Sequence, residues 1–335
     1  MRVAVTGGTG FVGSHTVAAL LDAGHDVRII ARRVHGVAPA LEPLGVDPNV
    51  VEVALADMTD RGAIEAGLSG CDAVVHAASV YSFDPDRADE IARTNERGVR
   101  HVLESAIDAG MDPIVHVSST LALIHDGEVG QVLTTETAPG DAPFPYAGSK
   151  ARQEAYARTL QDHGHPVVIT NPGGVWGPHD PHEGESHLLA RACMRGLMSM
   201  LPRGTGIALV DVRDVAAAHA ALVEPGRGPR RYVLAPYCPS LPELVDAVTT
   251  AAGRPRRTMA VPAPVATAAT RLAGMARARF GWDLGGGPEG LWVSLQRACG
   301  DSSAAEEDLG ITWRPFEECV ADTVAWMQAE EARAA

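Results

Sequence analysis

The stretch Thr6-Gly7-Gly8-Thr9-Gly10-Phe11-Val12-Gly13 follows the apolar run Val3–Val5 and opens a helical pattern over Phe11–Ala23. Glycine suits such a turn because it adopts positive φ angles and allows an anionic group to approach the backbone closely. The N–H groups at the start of the helix are free to bind that anion. A strand, a glycine-rich turn and a helix in this order predict a site for a dinucleotide pyrophosphate, and a loop without a ligand is the alternative. The expected contacts are Gly7, Gly10, Phe11, Val12 and Gly13.

Short apolar runs alternate with helical patterns on both sides of this motif. Further strands are predicted at Val27–Ala31, Val50–Ala54, Ala73–His76, Ile114–Val117, Val167–Thr170 and Ile207–Val210. Between the predicted strands Ala73–His76 and Ile114–Val117, apolar residues from Val99 to Ile107 recur on one face of a helix. This alternation predicts an α/β fold with a doubly wound parallel sheet.

The composition changes after about residue 172, where prolines and glycines become frequent and helical patterns dominate. Helices are predicted at Leu241–Ala252, Pro264–Arg279 and Phe316–Glu330. We therefore expect a dinucleotide-binding domain over residues 1–175, with a strand returning near 207–235. Residues 176–206 and 236–330 are expected to form a smaller, mostly helical substrate lobe.

The bulk properties limit the class of protein. The chain has 335 residues with a net charge of −14, so it lacks the basic surface that nucleic acid or an anionic membrane requires. Its five cysteines are scattered and show no CxxC, which argues against a disulfide framework or a zinc site and favours a reducing, cytoplasmic location. No signal peptide is visible, and the apolar stretch Met259–Ala276 contains an arginine, so membrane insertion is not expected.

The end of the second predicted strand indicates which dinucleotide is bound. Arg32 and Arg33 stand where an NAD-specific protein usually places a carboxylate for the ribose 2′-hydroxyl. Arginine offers a permanent charge and paired donors to a 2′-phosphate, so NADP(H) is the expected cofactor and NAD(H) the alternative. Two solvated arginines at the start of a loop are the other interpretation. Asp57, after the third strand, is placed to accept from the adenine amine or to cap a helix.

The only lysine of the chain, Lys150, follows Tyr146 by four residues at the start of a predicted helix. Residues i and i+4 lie on one helix face. An ammonium near a phenol favours the phenolate and lowers the pKa of the tyrosine, which makes it a general acid or base near neutral pH. A surface pair without a role is the alternative.

Three hydroxyl residues, Ser118, Ser119 and Thr120, end the strand Ile114–Val117. Ligands of open α/β sheets bind at the carboxyl ends of the strands. A hydroxyl at this place can hold a substrate oxygen while Tyr146 protonates it. The residues alone do not decide which of the three does so.

These motifs together resemble the extended short-chain dehydrogenase/reductase family, which has a Rossmann fold. The matching segments run from residue 1 to about 220 in the order of that family, and they are Thr6–Gly13, Asp57-Met58, His76-Ala77-Ala78, Thr94–Gly98, Val117–Thr120, Tyr146–Lys150, Asn171–Pro178 and Val210–Ala216. Arg32 and Asn171-Pro172 are similar to the dihydroflavonol reductase and 3β-hydroxysteroid dehydrogenase branch of the family.

The resemblance implies roles for individual residues. Thr120, Tyr146 and Lys150 correspond to the catalytic trio. Further cofactor contacts are expected from Asp57, Met58, Ala77, Ala78, Ser79, Lys150, Pro172, Gly173 and Val175. The resemblance also implies a homodimer and a role for Asn95 that the pattern leaves open.

The expected function is NADP(H)-dependent interconversion of a carbonyl and a primary or secondary alcohol, with a small molecule as partner. Substrate contacts are expected from Tyr81, Leu121, His125, Gly174 and Trp176. No metal is expected, because the histidines and acids between His179 and His187 match no standard zinc spacing. The alternatives are an NAD-dependent nucleotide-sugar epimerase or dehydratase and a non-catalytic NADP-sensing module, which typically lacks a Tyr-Lys pair.

Overall fold

The structure, a computed structural model, describes residues 1–266, 268 and 287–334. The strands that it contains within those residues are β1 (Arg2–Thr6), β2 (Asp26–Ala31), β3 (Glu52–Leu55), β4 (Ala73–His76), β5 (Ile114–Val117), β6 (Val132–Leu133), β7 (Val167–Pro172), β8 (Gly174–Trp176), β9 (Met200–Pro202), β10 (Leu209–Asp211), β11 (Arg230–Leu234), β12 (Met259–Val261) and β13 (Cys299–Gly300). The helices are α1 (Phe11–Asp22), α2 (Val37–Leu41), α3 (Arg61–Leu68), α4 (Ala88–Asp108), α5 (Pro145–Asp162), α6 (Glu185–Arg195), α7 (Val212–Leu222), α8 (Leu241–Ala251), α9 (Pro288–Gln296), α10 (Ser303–Leu309) and α11 (Phe316–Ala334).

Seven parallel strands form the main sheet in the order β3-β2-β1-β4-β5-β7-β11. The chain moves outward from β1 to β3, then returns to β4 on the other side of β1. Loops at the carboxyl ends of β1 and β4 therefore diverge and leave a crevice between them. This sheet confirms the prediction of a doubly wound parallel Rossmann fold.

Side-chain alternation along β1 divides the core into two layers. Val3 and Val5 face a cluster that includes residues of α1 and α7, whereas Ala4 faces a cluster that includes residues of α3, α4 and α5. Both faces of the sheet are covered, which explains why its central strands are continuous apolar runs. The packing of α5 against β7 and against the 3-10 turn Thr120–Leu123 after β5 brings the start of the Tyr-Lys helix to the carboxyl edge of the sheet.

The seventh strand of the main sheet is β11, which lies within the range 207–235 where a returning strand is expected, although no apolar run marks its position. The strand predicted at Ile207–Val210 corresponds to β10, and β10 pairs with β8 in a separate two-stranded sheet. β11 is the edge strand, and its first two residues are arginines that are only partly buried. Its sequence therefore lacks the apolar start that marks the inner strands.

Helices α6, α8 and α11 pack together in a lobe around an apolar cluster that includes Leu244, Val324 and Trp176. The predicted helix Pro264–Arg279 falls almost wholly outside the described residues. No helix among those described is both long and apolar enough to cross a bilayer.

One expectation about the cysteines is wrong. Cys238 and Cys299 form a disulfide with a Cα–Cα distance of 5.5 Å, across a sequence separation of 61 residues. Sequence spacing gave no indication of this pair, because the two residues meet only through tertiary folding. The bond joins the loop after β11 to β13, the strand that follows α9 in the chain.

Candidate active site

The glycine-rich turn joins β1 and α1 with almost no free space. Gly7 has a φ of 74°, and a Cβ there would lie 2.7 Å from the backbone nitrogen of Ala78. A Cβ on Gly13 would overlap the carbonyl oxygen of Gly7. The turn is closed by a 2.9 Å hydrogen bond from the Gly10 N–H to the Gly7 carbonyl. Glycine at positions 7 and 13 is therefore required by the fold, and the turn lies against the segment that follows β4.

Two buried hydroxyls along this crevice are available to a ligand. The Oγ atoms of Ser79 and Ser118 are buried and have no hydrogen-bond partner among the described residues. Both follow the neighbouring strands β4 and β5, at the carboxyl edge of the sheet where the crevice opens. Buried polar atoms in proteins are normally paired, so orphans at this edge fit a polar ligand such as a dinucleotide.

The two arginines predicted to select the cofactor follow β2 and are exposed. Hydrogen bonds from the Thr59 hydroxyl and N–H hold the pKa of Asp57 below its ordinary value, and the charge of Arg32 lowers it further. Arg32 is thus close enough to act on Asp57. The cap of α3 is Asp60, whose carboxylate accepts from the Ala63 N–H, so Asp57 does not have that role.

Met58 packs against α4 rather than standing free. Its sulfur lies where a side chain on Gly98 would otherwise project, and its carbonyl is 3.1 Å from Nδ1 of His101. These contacts fix the turn after β3 beside Asp57.

Tyr146 lies in the first turn of α5, and Lys150 lies one turn further along. Both are buried, with 7% and 3% of their surface exposed. The Lys150 ammonium donates to the carbonyl of Val117 at the end of β5, at 3.1 Å, and lies 6.0 Å from the centroid of the Tyr146 ring. The predicted pair is therefore brought together at the carboxyl end of β5.

The pKa values of these two side chains are shifted in opposite directions. Burial lowers the pKa of Lys150 to about 8, although the carboxylate of Glu154 opposes this effect. Burial raises the pKa of Tyr146, and the carboxylate of Glu289 raises it further. The expectation that Lys150 would leave Tyr146 with a lowered pKa is not met by the protein alone, because burial and the charge of Glu289 both raise the pKa. Tyr146 is a protonated phenol near neutral pH.

The three hydroxyl residues after β5 have different surroundings. Ser119 Oγ accepts from the Leu121 N–H at 3.2 Å and caps the 3-10 turn Thr120–Leu123. Ser118 has the orphan hydroxyl described above. Thr120 is 3% exposed at the start of the turn, which packs against α5.

A buried carboxylate joins α5 to the ends of β5 and β7. Glu154 is fully buried and accepts from Arg158 at 2.9 Å and from the Asn171 amide at 3.0 Å. The same amide group donates to the carbonyl of Ser119 at 3.1 Å. This network, which sequence patterns missed, fixes the strand end that carries Thr120 relative to the helix that carries Tyr146.

Asn95 on α4 has a positioning role. Its side chain accepts from the N–H of Val80 at 2.7 Å and donates to the carbonyl of Val80 at 3.1 Å, and its amide also lies 3.4 Å from Ser149 Oγ. It therefore ties the segment after β4 to α5. This segment continues into Tyr81 and Phe83, whose rings lie 4.8 Å and 6.0 Å from the ring of Tyr146.

The residues that are expected to contact the substrate lie in different surroundings. Tyr81 covers Tyr146, as just described, and Leu121 is in the turn beside α5. The backbone N–H of His125 is bonded to the Gln131 side chain, and its ring lies 3.9 Å from a carboxylate oxygen of Asp141. Trp176 is 2% exposed in the apolar core of the lobe, so its side chain is better placed to pack against the lobe than to contact a substrate.

Gly173 and Gly174 pass close to the segment that precedes β10. A Cβ on Gly173 would lie 2.7 Å from the Ala208 carbonyl oxygen, and one on Gly174 would lie 2.9 Å from Leu209. Pro172 ends β7, and Val175 lies in β8 against the core. The segment 172–175 thus crosses from the main sheet to the lobe at the carboxyl end of β7.

The loop between His179 and His187 is held by its own hydrogen bonds. Asp180 accepts from the N–H groups of His182 and Gly184, and His187 donates to the carbonyl of Gly177 at 2.9 Å while its other nitrogen lies 3.0 Å from Asp180. No group of side chains suited to a metal ion occurs in the described part of the chain. The ring of Phe11 packs on His187 at 5.1 Å, so the loop lies beside the glycine-rich turn.

A glycine-rich turn at a sheet crevice, two orphan hydroxyls and a buried Tyr-Lys pair define a dinucleotide-binding protein of the Rossmann class. The model of the NAD dependent epimerase/dehydratase family matches residues 3–235. The chain belongs to this family, and its identification as a member of the extended short-chain dehydrogenase/reductases is confirmed.

Individual relatives include both reductases and epimerases. The chain is 29% identical to a putative dihydroflavonol 4-reductase of Synechocystis sp., over 97% of this chain and 94% of the relative. It is also 29% identical to a dTDP-4-dehydro-6-deoxy-D-allose reductase of Streptomyces bikiniensis, over 82% and 88%. The fold is similar to that of a UDP-glucose-4-epimerase of Stenotrophomonas maltophila with bound NAD, with a TM-score of 0.78, 22% identity and full coverage of both chains.

Proposed function

We propose that the protein is an NADP(H)-dependent oxidoreductase that interconverts a small-molecule carbonyl with a primary or secondary alcohol. The observation that carries the proposal is the buried pair of Tyr146 and Lys150 at the carboxyl end of β5, on the same edge of the sheet as the glycine-rich turn. The similarity to two reductases supports it. A cytoplasmic location and a homodimer stay predictions from the sequence.

The residues fit a bound nicotinamide dinucleotide, which would supply or accept the hydride. The glycine-rich turn and the start of α1 would hold its pyrophosphate, and Arg32 and Arg33 its 2′-phosphate. Ala77, Ala78, Ser79 and the segment Pro172–Val175 would line the crevice.

The protein residues supply the proton and the orientation. Tyr146 carries its proton near neutral pH, so its hydroxyl donates to the oxygen of a carbonyl that is being reduced. Lys150, with a pKa of about 8, is mostly charged at that pH and stabilises the phenolate that remains. Thr120 holds the substrate oxygen by a hydrogen bond. In the oxidation direction the same groups act in reverse.

A nucleotide-sugar epimerase or dehydratase is the second candidate, because the fold matches a UDP-glucose-4-epimerase over the whole chain. Such an enzyme retains its NAD and shows no net consumption of dinucleotide. The two functions are separated by mixing the protein with NADPH and a panel of aldehydes, ketones, steroids and flavonoids. Net oxidation of NADPH favours the reductase, and tightly bound NAD with no net oxidation favours the epimerase.

The role of Tyr146 is tested by Tyr146→Phe. Loss of the hydroxyl that is proposed to transfer its proton to the reacting oxygen is expected to lower kcat by about 10²- to 10⁴-fold. The dissociation constant for NADPH, measured by fluorescence titration, is expected to stay within about threefold, because the phenol acts on the substrate.

Tyr156→Phe is the matched control, since Tyr156 lies on the same helix and its hydroxyl donates to Glu104 at 2.6 Å. We expect it to retain the wild-type kcat. Full activity in Tyr146→Phe, or an equal loss in both variants, would refute the proposed role.

A further inference from the structure

The catalytic helix α5 has no cap of its own. Phe144 occupies the N-cap position and has no side-chain oxygen, and Pro145 is the first helical residue. The first N–H groups of a helix have no acceptor inside it. Tyr146 and Ala147 are buried, so their N–H groups require an acceptor from another part of the chain.

Glu289 supplies that acceptor from α9. Its Oε1 atom accepts from the Ala147 N–H at 2.8 Å, across a separation of 142 residues, and the nearby N–H of Tyr146 also lowers the pKa of the carboxylate. Glu289 is 2% exposed and lies in the first turn of its own helix, behind Pro288. The N-termini of α5 and α9 therefore both face one carboxylate, and both helix dipoles stabilise its charge.

The same carboxylate acts on the phenol of Tyr146. Burial raises the pKa of Tyr146, and the negative charge of Glu289 raises it further, because a nearby anion disfavours the phenolate. The pKa of Glu289 is itself raised to about 7 by burial, against the effect of the two N–H donors, and the carboxylate of Glu185 contributes to the rise. Glu289 thus changes its charge within the range in which the enzyme is expected to work.

Among the residues that the structure describes, the charged and titratable groups near Glu289 come from three elements. Tyr146 and, one turn further, Lys150 belong to α5. Glu185 belongs to α6, where it accepts from the Phe83 N–H at 3.0 Å. Tyr81 precedes Phe83 in the segment after β4 and is under the electrostatic influence of Glu185 and Glu289. Lys150 is the only cation among these four neighbours.

We propose that Glu289 is a positioning residue for Tyr146, which fixes the first turn of α5 through its backbone and keeps the phenol protonated while the carboxylate is charged. The proposal rests on the proposed role of Tyr146 as proton donor. It adds a residue from α9, which is distant from α5 in the sequence, to the control of the acid/base group.

Two variants separate the charge from the hydrogen bond. Glu289→Gln keeps an oxygen that accepts from Ala147 and removes the charge, so the alkaline limb of the kcat profile for reduction is expected to move to lower pH by about one unit. Glu289→Asp keeps the charge but is one methylene shorter, so kcat is expected to fall about tenfold while the limb stays in place.

The control is Glu243→Gln, in the first turn of α8. Glu243 forms the capping box of α8 with Ser240, so this variant also removes a carboxylate from a helix N-terminus. Its pH profile is expected to match the wild type. A wild-type profile in Glu289→Gln would overturn the proposal. Losses in both Glu289 variants that only follow the folded fraction, measured by circular dichroism, would overturn it as well.

A second measurement needs no turnover. The pKa of Glu289 is raised in the folded state, so its contribution to stability is present at low pH and is lost as the pH rises through about 7. The change in melting temperature on going from about pH 5 to about pH 8 is therefore expected to be more positive in Glu289→Gln than in the wild type, because the variant lacks the loss of stability that Glu289 contributes over this range. An unchanged difference would contradict the burial and titration of Glu289. Absence of turnover in the wild type with every carbonyl would instead contradict the proposed function.

Discussion

Arg32, which we propose selects the dinucleotide, is exposed and contributes nothing to the core. It lies at the open end of β2, close enough to lower the pKa of Asp57, and nothing in the packing of the sheet requires a cation there. Arg32→Asp is expected to raise the KM for NADPH about 10- to 100-fold, because a charge-assisted contact to the 2′-phosphate becomes a repulsion. The KM for NADH should change much less.

The control for this exchange is Arg254→Asp, which makes the same change in net charge at an exposed position after α8. Initial rates with each dinucleotide at fixed substrate give the comparison. If the ratio of the two KM values stays at its wild-type value in Arg32→Asp, the 2′-phosphate is bound elsewhere.

Thr120 and Ser119 are adjacent hydroxyl residues with separable roles. Thr120→Val keeps the shape of the side chain and removes the hydroxyl, and kcat is expected to fall about 10²-fold through loss of the bond to the substrate oxygen. Ser119→Ala removes the cap of the 3-10 turn, so it should lower the free energy of unfolding by about 1 kcal/mol with little effect on kcat. Denaturant unfolding and steady-state kinetics on both variants provide the measurement, and the reverse pattern would assign the catalytic hydroxyl to Ser119.

At the scale of the elements, the sequence predicts the inner strands and the glycine-rich turn well because each depends on local chemistry. An apolar run marks a strand that is buried on both faces, and the glycines are required by contacts within the turn itself. The helix α5 is different, because five of its buried residues, namely Ser149, Lys150, Gln153, Glu154 and Gln161, are polar. Its apolar periodicity is therefore weak, and only the Tyr-Lys spacing indicated it.

The supporting residues of the site could not be predicted for a related reason. In the sequence, Glu154 resembles an ordinary exposed carboxylate on a helix. Only the structure shows that it is bound by Arg158 and Asn171. In the sequence, Glu289 resembles an acid that stabilises the first turn of its own helix. Its hydrogen bond to α5 involves Ala147, which is 142 residues away. Long-range pairing of polar groups leaves no periodic pattern in the chain, whereas burial of an apolar face does.

At the scale of the whole molecule, the disulfide between Cys238 and Cys299 connects the loop after β11, the edge strand of the main sheet, to β13, which follows α9 in the chain. It closes a loop of 61 residues that contains α8 and part of the lobe. A cross-link of this length restricts the unfolded chain and is expected to stabilise the folded protein by about 2–4 kcal/mol. Cys238→Ser should therefore lower the free energy of unfolding by that amount without reductant, and by much less in dithiothreitol.

Thiol titration tests the same bond directly. Cys71, Cys193 and Cys319 are free, and Cys193 and Cys319 are buried. Three thiols are therefore expected to react in denatured, unreduced protein, and five after reduction. Five thiols before reduction would show that the bond is absent in solution, which agrees with the predicted reducing location. In that case the position of α9, and with it the contact of Glu289 with α5, depends on packing alone.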